Sequence, residues 1–239
     1  MATDTPPALR YDTLERLRVP RPVDRLDHVA DRCRGRVVLD IGALDETALA
    51  KRDTPHWLHG RIAAVATQVL GVDPSPRVPP EGLVTAPNAR IHRGDAMALD
   101  PALLATAPID LVVAGELIEH LRDPLGFLLG LRQVLPGREL VFTTPNGNSA
   151  AQALMACIGR EAQHPDHLAC FSWKILHTLC RQAGLSEVDI RPYRFFATEM
   201  ILNSRGAKRL AAQAAQSGIR LIERCRPLLS FGYVVRARL

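Results

Sequence analysis

A chain of 239 residues, 47% of them hydrophobic, can bury one full core, and its longest apolar runs fall well short of the ~18 residues a membrane-spanning helix needs. Lysine and arginine number 30 against 25 acids, for a net charge of +5 and only Lys51, Lys174 and Lys208 among the lysines. The basic residues are dispersed and interleaved with acids, which argues for a solvated mixed-charge surface and against a nucleic-acid groove.

Five cysteines (Cys33, Cys157, Cys170, Cys180, Cys225) are odd in number and lack C-x-x-C spacing, so they read as buried thiols, neither a disulfide framework nor a zinc site. The stretch Met1-Ala2-Thr3-Asp4-Thr5-Pro6-Pro7 has neither the basic nor the apolar region of a signal peptide, and a cytoplasmic protein is expected.

In chain order, residues 1–35 are polar and punctuated by Pro6, Pro7, Pro20 and Pro22, with helical spacing at Tyr11-Leu14-Leu17 and Val23-Leu26-Val29-Ala30. They are expected to form an N-terminal helical segment that packs at the sheet edge or roofs the site. Arg36-Val37-Val38-Leu39-Asp40-Ile41 then reads as a strand buried on both faces, the parallel-sheet pattern, and Gly42 permits a tight turn after it. Leu44 to Pro55 reads as a polar loop and His56 to Ala66 as the crossover helix, with Trp57, Ile62 and Val65 at helical spacing, so that Trp57 is expected to be packed.

Further strands are predicted at Val69–Asp73, Ala89–Asp95, Ile109–Glu116 and Glu139–Thr144; the first three of these end in an acid. Asp123 as N-cap with Pro124 at the first helical position starts a helix that Pro136-Gly137 stops. Helices near 149–158 and 173–184, a strand over 185–195, a helical insert near 199–226 and a last strand over 229–239 complete the pattern. Strands alternating with helices predict an α/β fold: a doubly wound, mostly parallel, Rossmann-like sheet over residues 36–239 with its ligand at the carboxyl edge.

Val38-Leu39-Asp40-Ile41-Gly42, Asp73 after the second strand, Gly94-Asp95 after the third and Pro136-Gly137 before the fifth together resemble the class I S-adenosylmethionine-dependent methyltransferases, over roughly residues 30–195. Gly115-Glu116-Leu117-Ile118-Glu119-His120-Leu121, Thr143-Thr144-Pro145-Asn146 and His167 ahead of Phe171-Ser172-Trp173 are closest to the branch holding the ubiquinone-biosynthesis O-methyltransferases and many bacterial natural-product enzymes. The resemblance implies S-adenosylmethionine as cofactor. It implies that Asp73 accepts the ribose hydroxyls, that Asp95 and the Ala96 amide meet the adenine, that Gly42 and Asp40 form the turn at the methionine portion, and that Glu116 and Leu117 lie beside the transferred methyl. The turn departs from the family's Gly-x-Gly: it reads Gly42-Ala43-Leu44, followed by Asp45 and Glu46.

Glu116, Glu119 and His120 stand at i, i+3 and i+4, one face if the turn is helical, and with His167 or His164 they form a candidate site for a divalent ion, Mg²⁺ or Mn²⁺, as in the small-RNA 2'-O-methyltransferases. The competing reading leaves Glu119 structural and His120 alone as the general base that takes the acceptor's proton. Asn146 and His167 are candidates to orient the substrate. The expected activity is methyl transfer to a hydroxyl of a small acceptor, a sugar, phenol or secondary metabolite, with no membrane or nucleic-acid partner. A ribose-directed RNA methyltransferase and a non-catalytic cofactor-binding subunit remain as alternatives.

Overall fold

The computed structural model describes residues 16–44, 47–52 and 54–239. Among them, strands β1 (Val37–Ile41), β2 (Gln68–Asp73), β3 (Leu83–Ala86), β4 (Ala89–Arg93), β5 (Leu111–Gly115), β6 (Glu139–Pro145), β7 (Ser186–Tyr193) and β8 (Gly232–Arg238) build one sheet. Their spatial order is β3-β4-β2-β1-β5-β6-β8-β7. β1 lies between β2 and β5, parallel to both, with Leu39 opposite Leu70 on one side and Val112 on the other. β4 and β6 extend the parallel block, while β3 pairs antiparallel with β4 and β8 antiparallel with both of its neighbours. The chain therefore leaves β1 in one direction and returns past it in the other, which makes the crevice over its carboxyl end the switch point.

Helices α1 (Arg25–Cys33), α2 (Ala48–Lys51), α3 (Leu58–Ala63), α4 (Pro101–Leu104), α5 (Pro124–Val134), α6 (Ala150–Cys157), α7 (Trp173–Gln182), α8 (Thr198–Leu202) and α9 (Gly206–Cys225) surround the sheet. The period-2 alternation of each strand sorts the core by face. Leu39, Ile41, Val112 and Phe142 pack with Phe127, Leu128 and Leu131 of α5 and Leu176 of α7. Val38, Leu111 and Val113 pack on the other side with Val29 and Cys33 of α1, Ile62 of α3 and Tyr193. The N-cap read at Asp123 is used, and Asp24, Ser149 and Ser172 cap their helices in the same way, each accepting a backbone N–H of the following first turn.

The structure corrects several expectations. Tyr11 and Leu14 lie outside the described residues, and Arg16 to Pro22 carry no helix, since Pro20 and Pro22 remove donors that a helix needs. Leu44 to Pro55 is not simply a polar loop: it carries α2, and Leu44 and Ala48 are buried in a satellite core with Ala43, Trp57, Val78 and Ile91. The third predicted strand stops at Arg93, because Asp95 folds back on Ala98. The helical insert is two helices, α8 and α9, separated before Gly206. Cys33 and Cys180 are buried thiols, but Cys157, Cys170 and Cys225 are exposed; all five are free. Among the described residues no helix is long and apolar enough to cross a membrane.

Candidate active site

The carboxyl edge of β1, β2, β4 and β5 gathers the residues expected to hold the cofactor. Gly42 has φ +75°, and a Cβ there would stand 3.3 Å from Leu117 Cδ1, so turn and side chain seat each other closely. Asp73 is 5% exposed. Its Oδ2 accepts the Leu44 N–H at 2.9 Å and its Oδ1 accepts the Ser75 N–H at 2.9 Å. A carboxylate so held still has lone pairs to offer, which suits a pair of vicinal ribose hydroxyls. Asp95 is exposed, its Oδ1 taking the Met97 N–H at 2.9 Å, and Ala96 is half-buried against the core. Acceptors at the neighbouring tips of β2 and β4, with the Gly42 turn beside them at the tip of β1, are of a kind that suits a nucleoside without phosphate. Asp40 is engaged elsewhere: its carboxylate Oδ2 is 2.8 Å from His59 Nδ1, on the α3 side of the sheet.

Glu116 is the most constrained residue of the edge. Its φ of 51° lies in the left-handed region, a cost of roughly 1–3 kcal/mol for a residue with a Cβ. Its amide donates to Thr143 O and Oγ1 at 3.1 and 3.0 Å, the Thr143 hydroxyl donates to its Oε1 at 2.7 Å, and the Tyr193 hydroxyl reaches both carboxylate oxygens. Arg25 Nη1 lies 3.8 Å away with both partners partly solvated, so the hydroxyl bonds outweigh that ion pair in fixing the carboxylate. Burial, and then the nearby Glu116, push the Tyr193 phenol well above its ordinary value, which keeps it a donor.

This carboxylate lies in a cavity of about 1140 Å³ whose walls are mostly apolar, from α1 (Leu26), α6 (Met155), the segment after β7 (Phe195, Phe196) and α9 (Ile219, Ile222). His120 is not among its lining residues.

His120 instead meets His164 and His167: the three imidazoles each present a nitrogen, all within 4.8 Å of one another. His167 Nδ1 faces Gln163 Oε1 at 3.0 Å. Burial, then the two neighbouring imidazoles, hold His167 below its ordinary value and keep it neutral. Ile118–His120 is a 3-10 turn and Glu116 precedes it in a left-handed conformation, so Glu116, Glu119 and His120 do not share a helical face. Glu119 is 1% exposed and neither carboxyl oxygen has a hydrogen-bond partner among the described residues. Burial and the proximity of Glu116 raise it well above the carboxylate range. The expected four-residue metal set is thus corrected: neither Glu116 nor Glu119 joins the imidazole group.

Asn146 is fully buried, its amide donating to Leu228 O and Ser230 O at 2.9 and 2.8 Å and its carboxamide oxygen accepting the Asn148 N–H. It ties β6 to the segment entering β8, which leaves no donor for an acceptor molecule. The roles of Tyr193 and His59 were not foreseen, and Thr143 was named only as part of the Thr143-Thr144-Pro145-Asn146 segment, without its bond to Glu116. Their partners lie 77, 19 and 27 residues away, beyond any local pattern.

A sheet of this order, with Gly42, Asp73, Asp95 and Glu116 on its carboxyl edge, defines a class I S-adenosylmethionine-dependent methyltransferase. The family model described as a methyltransferase domain matches residues 14–190, and the chain belongs to that family. A ubiquinone biosynthesis O-methyltransferase of Cereibacter sphaeroides (strain KD131) is 31% identical over 145 residues, 54% of this chain and 55% of the relative. The chain therefore spans about half the length of the curated relatives it matches. A solved S-adenosylmethionine-dependent methyltransferase from Archaeoglobus fulgidus has a TM-score of 0.51 at 17% identity, covering 90% of this chain and 94% of its own. The cyclase SpnF has a TM-score of 0.52 at 20% identity, covering 89% and 79%. Identities this low carry the fold alone, and a cyclase among the likenesses illustrates that the fold does not fix the reaction.

Proposed function

We propose that this chain transfers a methyl group from S-adenosylmethionine to a hydroxyl oxygen of a small acceptor with a large apolar body. One observation carries the reading: the mostly apolar cavity of about 1140 Å³ includes the Glu116 carboxylate, on the turn after β5 at the switch-point edge. The relative's name, an O-methyltransferase, supports oxygen as the target. When bound, the cofactor supplies an electrophilic methyl on sulfur. The chain's own work is then to hold the acceptor hydroxyl, exclude water and receive its proton. The hydroxyl's hydrogen is directed to the Glu116 carboxylate, Tyr193 keeps that carboxylate in place, and the apolar walls from α6 and α9 exclude water. Glu116 is the group in this cavity that receives the proton; His120 lies outside it beside His164 and His167, and serves as the base only for an acceptor whose hydroxyl is presented on the imidazole side.

A second reading is favoured by the imidazole group. His120, His164 and His167 offer three nitrogen donors, and the His167 Nδ1 contact to the Gln163 carbonyl leaves Nε2 with the lone pair. Nitrogen donors suit Zn²⁺ or Ni²⁺ better than Mg²⁺ or Mn²⁺, which favour oxygen. In this reading His120 is a ligand and not the base.

Calorimetry with S-adenosylhomocysteine tests the cofactor, and methyl transfer to a panel of phenols with and without apolar tails tests the acceptor. Binding together with turnover that rises with tail size is the expected result. A protein that takes no S-adenosylhomocysteine, or methylates only amines or RNA, overturns the proposal.

A further inference from the structure

The turn after β1 carries one glycine, Gly42, and Leu44 stands where the Gly-x-Gly pattern it resembles would have a second. Its side chain is 6% exposed, packed in the satellite core with Ala48, Trp57 and Val78, while its amide donates to Asp73 at 2.9 Å. The bulk of Leu44 is thus taken into an apolar core, and the amide stays on the strand-tip acid.

The first turn of α3 closes on the same loop from two sides. Trp57 Nε1 donates to Ala43 O at 3.2 Å. His59, two residues on, has its ring 5.0 Å from that of Trp57, with Nδ1 2.8 Å from Asp40 Oδ2 and Nε2 2.8 Å from Thr85 Oγ1. A carboxylate only accepts, so Nδ1 carries the hydrogen. Asp40 and Ala43 flank Gly42, so α3 holds the chain on both sides of the residue that bends. On the remaining side the turn rests on β2: Gly42 donates to Val72 O at 2.8 Å, and a Cβ on Gly71 would come 3.2 Å from the Ala43 methyl.

Trp57 occupies the N-cap of α3 and makes no capping bond there. That position favours Ser, Thr, Asp or Asn, so the helix forgoes a cap. A local rule broken beside a ligand edge points to a demand made elsewhere.

We infer that Leu44, Trp57 and His59 are positioning residues for the cofactor turn Gly42–Leu44, fixing by packing and hydrogen bonds what a second glycine achieves by backbone freedom. The inference rests on the reading of this edge as the S-adenosylmethionine site, and the experiment separates the two.

Trp57→Phe keeps an aromatic ring but removes the indole N–H together with part of the buried bicycle, so it loosens both the bond and the packing; Leu44→Gly supplies the second glycine of the Gly-x-Gly pattern that the sequence resembles. Each is compared with the unchanged protein for S-adenosylhomocysteine affinity by calorimetry, for amide exchange at Gly42–Leu44 without ligand, and for acceptor KM and kcat at saturating cofactor. Each substitution is expected to weaken the affinity about tenfold and to speed exchange at the turn, with acceptor KM unchanged. The double variant is expected to lose little more than the worse single one, because both changes release the same loop. Leu44→Gly binding as tightly as the unchanged protein or tighter, or Trp57→Phe leaving affinity and exchange unaltered, overturns the inference. If the unchanged protein binds no S-adenosylhomocysteine, the cofactor reading fails. Exchange in Trp57→Phe then decides the brace alone, and slow exchange like that of the unchanged protein overturns it. Should Leu44→Gly not fold, Trp57→Phe carries the same decision.

Discussion

The Tyr193 hydroxyl stands 3.1 and 3.0 Å from the two carboxylate oxygens of Glu116, a bifurcated donor that joins the end of β7 to the turn after β5. Three strands' ends thereby converge on one carboxylate, since Thr143 of β6 holds it as well. Tyr193→Phe keeps the packing and removes the donor. The expected loss of stability is about 1.5–3 kcal/mol, the net worth of a hydrogen bond to a charged group. The expected loss in kcat/KM for the acceptor is on the order of tenfold or more, with S-adenosylhomocysteine affinity unchanged. Steady-state kinetics beside a thermal melt check both, and a variant equal to the parent in kcat/KM would remove Tyr193 from the reaction.

Glu223 supplies a pH signature for the helical insert. It is buried on α9 and its oxygens accept the N–H groups of Phe195 and Phe231, pinning α9 to the ends of β7 and β8. Burial raises its carboxyl from 4.5 to about 7, against the pull of those amides and of Arg220 and Arg194. The folded state therefore holds a proton that the unfolded chain has released, and the stability this group contributes is full below about pH 4.5 and lost as pH rises through about 7. Glu223→Gln has no such proton. The stability of the parent relative to Glu223→Gln is expected to fall by on the order of 3 kcal/mol between those limits. Denaturant unfolding at pH 5 and pH 8 measures it, and a difference that stays constant or grows with pH contradicts the assignment.

How much of this was legible in the sequence follows from range. β1, β2, β5 and β6 are buried on both faces, so each is an apolar run that reads as a strand unaided, and the acids after β2 and β4 follow from where the runs end. β3 was missed because its residues are half-exposed and follow Pro79-Pro80, which reads as a break. Leu44 and Ala48 looked like loop because the residues that bury them, Val78 and Ile91, come from later in the chain. The face shared by Glu116, Glu119 and His120 failed for a local reason that spacing cannot show: Glu116 adopts φ 51°, and the helical phase starts only after it.

Asp73 is expected to matter twice. Asp73→Ala removes the acceptor of the Leu44 and Ser75 amides as well as the charged acceptor offered to a ribose, whereas Asp73→Asn keeps an oxygen for one amide. Charged hydrogen bonds are worth about 1.5–3 kcal/mol each, so the alanine variant is expected to lose on the order of 10² or more in S-adenosylhomocysteine affinity and also to melt earlier. The asparagine variant is expected to recover most of the melting temperature but not the affinity. Calorimetry and melting curves on the pair decide it; equal affinities in parent and asparagine variant would show that the charge is not used by the ligand.

His120 separates the two readings of the imidazole group. If it carries the acceptor's proton alone, His120→Ala is expected to lower kcat about 10²- to 10⁴-fold with cofactor affinity intact, His164→Ala to have little effect, and chelator to do nothing. If the three imidazoles hold a metal ion, removal of any one of them breaks the site. His164→Ala and His167→Ala are then expected to match His120→Ala, chelator to abolish activity, and Zn²⁺ or Ni²⁺ to restore it better than Mg²⁺ or Mn²⁺. Glu119→Gln tests instead whether that carboxyl joins the imidazole group. Burial favours the protonated form of that carboxyl, so the isosteric amide is expected to replace it with small effect in both readings. A collapse of activity in Glu119→Gln, with the fold intact by melting curve, would instead return that carboxylate to the metal and overturn the three-nitrogen site.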